Sequence, residues 1–351
     1  MGSTGTGSAT GAYGADAHST RRNASDGTGM ILLGGCAGWS LITAAADDGR
    51  PEGMLLAVLA VAAGYAAGRV SGALLPVAAP GAGAAAGLAL AVTLPALSPG
   101  PWYAAPLGRA GATAALLTLA TGAACCAAWA TSVPALRLVL RALACAVVAA
   151  GAVLGSTAGC VAGMAVLLCS LAAGSARSRG PWPAGTAVAA GLAAAVWAVA
   201  GEALPGHLTG AIEGRFSAHR VLLWRDALGL AGRHSGLGIG PGRFGDPGPG
   251  APRTLLSDGK PHSAPLQQAV EQGLVGVFLL VAVFCWVLYA LWRSPRPTPV
   301  AVTAGAALTA LAALASVSDA LGFTTVTSGA ALLAGWATAR PWTGETATPG
   351  L

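Results

Sequence analysis

The chain has 351 residues, of which 54% are hydrophobic and only 9% are charged, whereas about 25% are charged in an ordinary soluble domain. So few charged side chains cannot cover the water-exposed surface of a protein this large. The composition therefore excludes a soluble enzyme and predicts an all-α, polytopic transmembrane helical bundle. The formal net charge of +6 then indicates cytoplasmic anchoring of helices and an anionic ligand, because no strip of aromatic and basic residues points to nucleic acid.

Polar tails flank the apolar part of the chain. Residues 1–28 are rich in Gly, Ser, Thr and Asp and are predicted to form a disordered cytoplasmic tail. Residues 341–351 are predicted to form a short polar cytoplasmic tail. Apolar runs in residues 29–203 and 270–340 predict the N-terminal and C-terminal transmembrane helices. The ten predicted spans are 30–46, 54–68, 76–97, 111–133, 138–155, 158–176, 184–203, 270–292, 299–317 and 322–339.

Residues 142–176 form one stretch of 35 residues without a charge. As a single helix it would be about 52 Å long, whereas the hydrocarbon core of a bilayer is about 30 Å thick. Two spans with a turn near Gly155–Gly159 fit that thickness better. The alternative is one tilted helix in which Gly151, Gly155 and Gly159, spaced by four, form a close-packing face.

The arginines predict the orientation of the ten spans. With a cytoplasmic N terminus, ten arginines fall in cytoplasmic segments and only Arg50 and Arg109 fall in short external loops. The cytoplasmic set is Arg21, Arg22, Arg69, Arg137, Arg141, Arg177, Arg179, Arg293, Arg296 and Arg340. This positive-inside bias predicts a multi-pass protein of the cell membrane with both termini in the cytoplasm and residues 204–269 outside.

The loop 204–269 carries most of the remaining charge, and so long a loop in a compact membrane protein is usually functional. Apolar residues at helical spacing between Arg220 and Ala231, Trp224 among them, predict a helix lying along the membrane surface. The glycine-rich turn that follows, Gly236 to Gly242, allows backbone N–H groups to approach an anion closely. The turn matches neither the dinucleotide-binding fingerprint nor a P-loop.

The end of the loop carries His262 and Ser263, then nine residues, then Gly273-Leu-Val-Gly276. This block resembles the O-antigen ligase and polymerase family of membrane glycosyl-transferring enzymes, in which His is followed by Asn, Ser or Gln, nine residues and G-x-x-[GTV]. Three more segments resemble the family's arginine–tryptophan helix, its glycine-rich turn and its closing outer turn and helix. They are RVLLWRDAL, GLGIGPGRF and SVSDALGFTTVTSGAALLAGWA, the last of which contains Asp319. The resemblance covers residues 215–340, and Pro265 departs from it because it is expected to interrupt the helix after the histidine.

The resemblance implies a donor glycan on a polyprenyl pyrophosphate, such as undecaprenyl pyrophosphate, and catalytic roles for Arg220 and His262. Arginine forks bind phosphate oxygens in pairs and stay protonated, so Arg220 would clamp the leaving pyrophosphate with Arg215 or Arg225 assisting. His262 would either take the proton from the acceptor hydroxyl or donate a hydrogen bond to the pyrophosphate, and both roles stay open. The other predicted substrate-binding residues are Gly240, Gly242, Ser263 and Glu271.

Glu271 follows His262 by nine residues, or about 2.5 helical turns, so it lies on roughly the opposite face of a continuous helix unless Pro265 breaks it. It is therefore expected to support the site more than to contact the reacting groups. No pair of carboxylates stands out for holding magnesium, and the seven cysteines lie in apolar segments without a C-x-x-C pair. The predicted transfer accordingly uses neither a metal nor a cofactor.

These features predict a membrane glycosyltransferase of envelope polysaccharide synthesis that transfers or polymerises a glycan onto a hydroxyl group at the outer face of the membrane. Its expected partners are the lipid-linked donor, a polysaccharide or lipid acceptor and membrane lipids, and not nucleic acid. The main alternative is a secondary transporter, but such proteins place ionisable groups near the membrane midplane and show paired repeats, which this sequence lacks. A non-catalytic scaffold of the same fold is the third possibility.

Overall fold

The computed structural model describes residues 9–97, 106–174, 218–243 and 262–340. Over these ranges the chain forms ten α-helices and one 3-10 helix, with no strand. The helices are α1 (Ala9–Asp47), α2 (Glu52–Leu74), α3 (Ala78–Leu97), α4 (Pro106–Ala130), α5 (Pro134–Val153), α6 (Thr157–Ala173), α7 (Ala218–Arg233), α8 (Ala264–Trp292), α9 (Thr298–Val317) and α10 (Thr324–Thr338), and the 3-10 helix is Ala320–Gly322.

Six of the described helices contain a stretch that is long and apolar enough to cross a membrane. The six stretches are Asp26–Asp47, Glu52–Leu74, Ala110–Ala130, Pro134–Val153, Ala264–Trp292 and Thr298–Val317. Helices α3 and α6 add two shorter apolar stretches. The described part of the chain is thus all-helical, with helix lengths that fit a membrane protein, as predicted. Each predicted span falls on a helix except 184–203, which lies outside the described residues.

Helix α1 is longer than the first predicted span. It begins at Ala9, inside the segment 1–28 that the sequence predicts to be disordered, and it runs to Asp47. No proline interrupts residues 9–47, and lengthening an existing helix by one residue is far easier than starting a new one. The helix of the apolar run therefore continues toward the N terminus through polar residues, which the composition alone does not indicate.

The uncharged stretch 142–176 forms the predicted pair of helices. Helix α5 ends at Val153 and α6 begins at Thr157. Between them Gly155 has a φ of +69°, a left-handed conformation that glycine adopts without steric cost. Ser156 caps α6 by accepting a hydrogen bond from the Gly159 N–H. The single tilted helix is therefore wrong.

Helix α4 forms the centre of the bundle. Every residue from 111 to 128 is buried, and α3, α5, α6 and α9 all pack against this helix. Its small side chains let the neighbouring backbones approach closely, as in other membrane helix interfaces. The hydroxyls of Thr118 and Thr121 donate to carbonyls one turn earlier in the same helix, so these buried polar groups are satisfied locally.

Helices joined by the described short connections run in opposite directions, so these connections fall at two ends of the bundle. One end, the His262 end, carries the α1–α2 corner (Asp47–Glu52), the turn after α7, His262 and Asp319. The other end, the Arg296 end, carries the short connection between α8 and α9 together with the C-terminal ends of α2 and α10.

Contacts of two arginines hold the Arg296 end together. Arg69 pairs with Asp26 of α1 at 2.7 Å. Arg296 is only 6% exposed, and its guanidinium donates to the carbonyls of Gly72 at 2.7 Å and Ala339 at 2.8 Å. Burial lowers the pKa of the Arg296 guanidinium, but the ordinary value lies so far above neutrality that the group stays charged. These bonds join α2, α10 and the α8–α9 connection.

Candidate active site

Helix α7 packs against the N-terminal segment of α8, the part from Ala264 to Gln272. The indole of Trp224 is fully buried in a small apolar cluster with Leu266 and Val270. The sequence predicts a helix here with its apolar face on the membrane surface. The helix is present, but its apolar face packs against α8 because the N-terminal segment of α8 has an apolar face of its own.

Helix α8 bends at Gly273. This residue has φ +66° and ψ −165°, which lie outside the helical region, so one helical run ends at Gln272 and a second begins after it. The end of any helical run leaves backbone groups that need partners from elsewhere. The bend therefore creates bonding sites for other segments on the carbonyls of Val270, Glu271 and Gln272 and on the N–H of Leu274.

Other segments fill all four of these bonding sites. The Leu274 N–H donates to the Ser235 carbonyl at 3.0 Å. The N–H groups of Ile239 and Gly240 donate to the Val270 and Glu271 carbonyls at 2.9 and 3.1 Å, and the Trp39 indole donates to the Gln272 carbonyl at 3.0 Å. The glycine-rich turn and helix α1 are thus hydrogen-bonded to the backbone of α8 at the bend.

The glycine-rich turn owes its shape and closeness to its glycines. Gly238, Gly240 and Gly242 have φ values of +78°, +90° and +74°. A β-carbon on Gly238 would lie only 2.5 Å from the Glu271 backbone. Gly240 is buried and its N–H is engaged with Glu271, whereas Gly242 is exposed on the outer side of the turn. The amide of Gly240, predicted to approach an anion, therefore has a structural partner.

His262 and Ser263 stand at the start of α8. His262 is 5% exposed and has a φ of +48°, a left-handed conformation that is uncommon outside glycine. Ser263 is 1% exposed and precedes the helix, but its hydroxyl makes no capping bond and has no partner among the described residues. Pro265 lies in the first turn, where its missing N–H is not needed, so it starts the helix and does not interrupt it.

Glu271 lies at the bend, at the opposite end of the N-terminal segment of α8 from His262. Its carboxylate accepts a hydrogen bond from the Gln267 side chain at 3.0 Å, and its carbonyl accepts one from Gly240. It is half-buried. These contacts join Glu271 to α8 and to the glycine-rich turn, and its role at the site stays a prediction.

The three predicted arginines differ in how far the structure describes them. Arg225 is half-buried on α7, next to Trp224. Arg220 is on the same helix, and its side chain lies outside the described residues, as does all of Arg215. Position 220 is four residues before Trp224, which puts both positions on one face of the helix. Position 220 thus shares the face of α7 that packs on the N-terminal segment of α8.

Two further parts of the site lie outside the loop 204–269: Asp319, which belongs to the last segment of the resemblance, and the α1–α2 corner, which no motif covers. Asp319 is 6% exposed and follows α9 at the His262 end, where Val317 packs against the Trp224 cluster. The α1–α2 corner contacts the glycine-rich turn: the Arg50 N–H donates to the Pro241 carbonyl at 2.8 Å, and Arg243 donates to the Asp47 carbonyl. Residues this distant in sequence carry no local pattern that predicts their contact.

Among the described residues, no group of three or more His, Cys, Asp or Glu side chains is placed so that it could hold a metal ion. Metal-independent chemistry stays a prediction. No protein-family model, curated protein or solved structure matches the chain. The family resemblance therefore rests on the motifs and enters below as a proposal.

Proposed function

We propose that this chain is a membrane glycosyl-transferring enzyme of the O-antigen ligase and polymerase type. One observation carries the proposal. The arginine–tryptophan helix, the glycine-rich turn and the histidine block are separate in sequence, yet Trp224, Ile239 and Leu266 share one apolar cluster and the turn is bonded to the bend of α8. This packing holds the three segments that carry the resemblance next to one another, which supports their belonging to one site.

The chemistry of a lipid-linked pyrophosphate donor suits these residues. Negative charge develops on the pyrophosphate as the glycosidic bond breaks, and arginines at positions 220 and 225 of α7 would bind its oxygens. His262, at the start of α8, would take the proton from the acceptor hydroxyl or donate a hydrogen bond to the leaving group. Ser263 and Gly242 would border the donor, and Arg215 would assist. We further propose about ten spans, cytoplasmic termini and a His262 end that faces outward in the cell membrane.

Transfer of a labelled glycan in reconstituted vesicles tests the proposal. The purified protein is supplied with a polyprenyl-pyrophosphate oligosaccharide and a hydroxyl-bearing acceptor glycan. His262→Asn is preferred to Ala because Asn tolerates a positive φ but cannot act as a base. We expect His262→Asn to lower the transfer rate by about 100-fold or more, the usual contribution of a general acid or base. Arg220→Gln and Arg225→Gln should also lower it strongly, because a neutral amide cannot balance the pyrophosphate charge.

Matched controls lie beside each residue. His234 and Arg233 are exposed at the end of α7, so His234→Asn and Arg233→Gln should leave the rate unchanged. Equal rates for His262→Asn and His234→Asn would remove His262 from the mechanism. The transporter would be favoured if the unmodified protein transferred no glycan and carried a solute across the membrane at a rate that these substitutions did not change.

A further inference from the structure

Helix α1 reaches the site from a part of the chain that none of the motifs covers. The Trp39 indole N–H donates to the Gln272 carbonyl at 3.0 Å. Gln272 is 1% exposed and is the last residue before the bend at Gly273. The bond therefore joins α1 to the backbone of the residue that precedes the bend, in a buried setting where the loss of a hydrogen bond is unfavourable.

A straight α8 is the local alternative to the bent one. In a continuous helix the Leu274 N–H would donate to the Val270 carbonyl, whereas here it donates to Ser235 and the Val270 carbonyl accepts from Ile239. The bend is therefore maintained by bonds from outside the helix. Trp39 supplies one from the bundle, and the glycine-rich turn supplies the others.

The angle of the bend sets the position of His262. The N-terminal segment of α8 extends about 14 Å from Gly273 to Ala264, so a change of about 10° at the bend would move its start by about 2 Å. Misplacement of a reacting group by about 1 Å already slows catalysis strongly. A single hydrogen bond at the bend can thus affect the position of His262 at the start of α8.

We propose that Trp39 is a positioning residue, which fixes the bend of α8 by holding the Gln272 carbonyl and thereby fixes His262 relative to the bundle. The α1–α2 corner supports the same arrangement, because Arg50 and Arg243 tie Asp47–Arg50 to the far side of the glycine-rich turn. The inference rests on the proposed function where it treats His262 as a reacting group. The effect of Trp39 on the bend is independent of that function.

Trp39→Phe tests the proposal, because it removes the N–H donor and keeps an aromatic ring. Trp129→Phe is the matched control: it removes an indole bond of the same length, to the Ser170 hydroxyl at 3.0 Å, at the Arg296 end. Hydrogen exchange is measured on the full-length protein in nanodiscs. We expect the Ile239, Gly240 and Leu274 amides to exchange about tenfold faster in Trp39→Phe only. Exchange in α9 should not change, whereas a general loss of stability would raise it.

Glycan transfer gives the second readout. In Trp39→Phe we expect kcat, per folded protein, to fall about tenfold with KM for the lipid-linked donor unchanged, as for a group that aligns the reaction without binding substrate. If the unmodified protein transfers no glycan but exchange at the bend still rises, the proposed function fails and the role of Trp39 stands. If exchange at the bend is equal in Trp39→Phe and Trp129→Phe, the positioning role is overturned whatever the activity.

Discussion

Gly273 carries the backbone constraint on which the site depends. Its φ of +66° and ψ of −165° belong to a region that is essentially restricted to glycine. A β-carbon there would overlap the Gly236 carbonyl of the glycine-rich turn. Any side chain at this position would therefore both strain the backbone and push the turn away from α8.

Gly273→Ala should destabilise the protein by at least about 2 kcal/mol, since backbone strain and overlap with a neighbouring backbone each cost about 1–3 kcal/mol. The melting temperature in detergent measures this loss. Gly53→Ala is the control, because Gly53 is exposed in α2 and nothing lies within 4 Å of a β-carbon there. It should melt at the same temperature or slightly higher. Equal melting of the two variants would mean that the bend is not rigid.

For single residues, the sequence predicts which ones belong to the site but not their backbone conformations or their hydrogen-bond partners. The spacing of His262 and Gly273 identifies both residues, and the left-handed backbone of His262 has no local signal, because the constraint comes from segments that pack around it. Trp39 is separated from Gln272 by 233 positions, so its role follows only from the packing of α1 on α8. For Gly240 the sequence leaves the partner open, since the N–H groups of a glycine-rich turn can bind either an anion or a backbone carbonyl.

Helices α2 and α10 pack through a row of glycines spaced by four. Gly64, Gly68 and Gly72 are buried on one face of α2. A β-carbon on Gly68 would overlap the Leu332 carbonyl, and Gly335 on the facing helix lies 3.0 Å from the same point. Membrane helices gain stability from such close backbone contact, because lipid provides no hydrophobic force between them.

Gly68→Leu should separate α2 from α10 and cost at least about 1–3 kcal/mol, the usual penalty for inserting volume into a packed interface. Ala67→Leu adds a similar volume on the exposed face of the same helix and should be tolerated. Unfolding of both variants in bicelles gives the comparison. A Gly68→Leu variant as stable as Ala67→Leu would show that the two helices are not tightly packed.

Helix positions follow from the sequence more readily than helix environments do. Apolar runs have the length that a bilayer requires, and nine of the ten predicted spans fall on described helices, six of which are long and apolar enough to cross a membrane. The 35-residue stretch is correctly divided at Gly155. The burial of Trp224 shows the limit. The periodicity predicts an apolar face on α7, but it does not predict whether lipid or another helix packs against that face, because both are apolar.

At the scale of the whole molecule, the basic residues are sorted between the two ends of the bundle. Arg69 and Arg296, predicted to share the cytoplasmic side, both contact groups at the Arg296 end. Arg50, predicted to lie on the other side, contacts the glycine-rich turn at the His262 end. The sorting follows from helix count and direction, which the apolar runs determine without any knowledge of packing.

If the His262 end faces outward, single cysteines will report it. In a background whose seven native cysteines are replaced by alanine, Arg233→Cys and Asp48→Cys are exposed at the His262 end, and Arg293→Cys is exposed at the Arg296 end. A membrane-impermeant maleimide should label positions 233 and 48 in intact cells and position 293 only after permeabilisation. Positions 233 and 48 must behave alike, because the α1–α2 corner is bonded to the turn that follows α7. The opposite pattern would put the site in the cytoplasm, where a donor presented on the outer leaflet could not reach it.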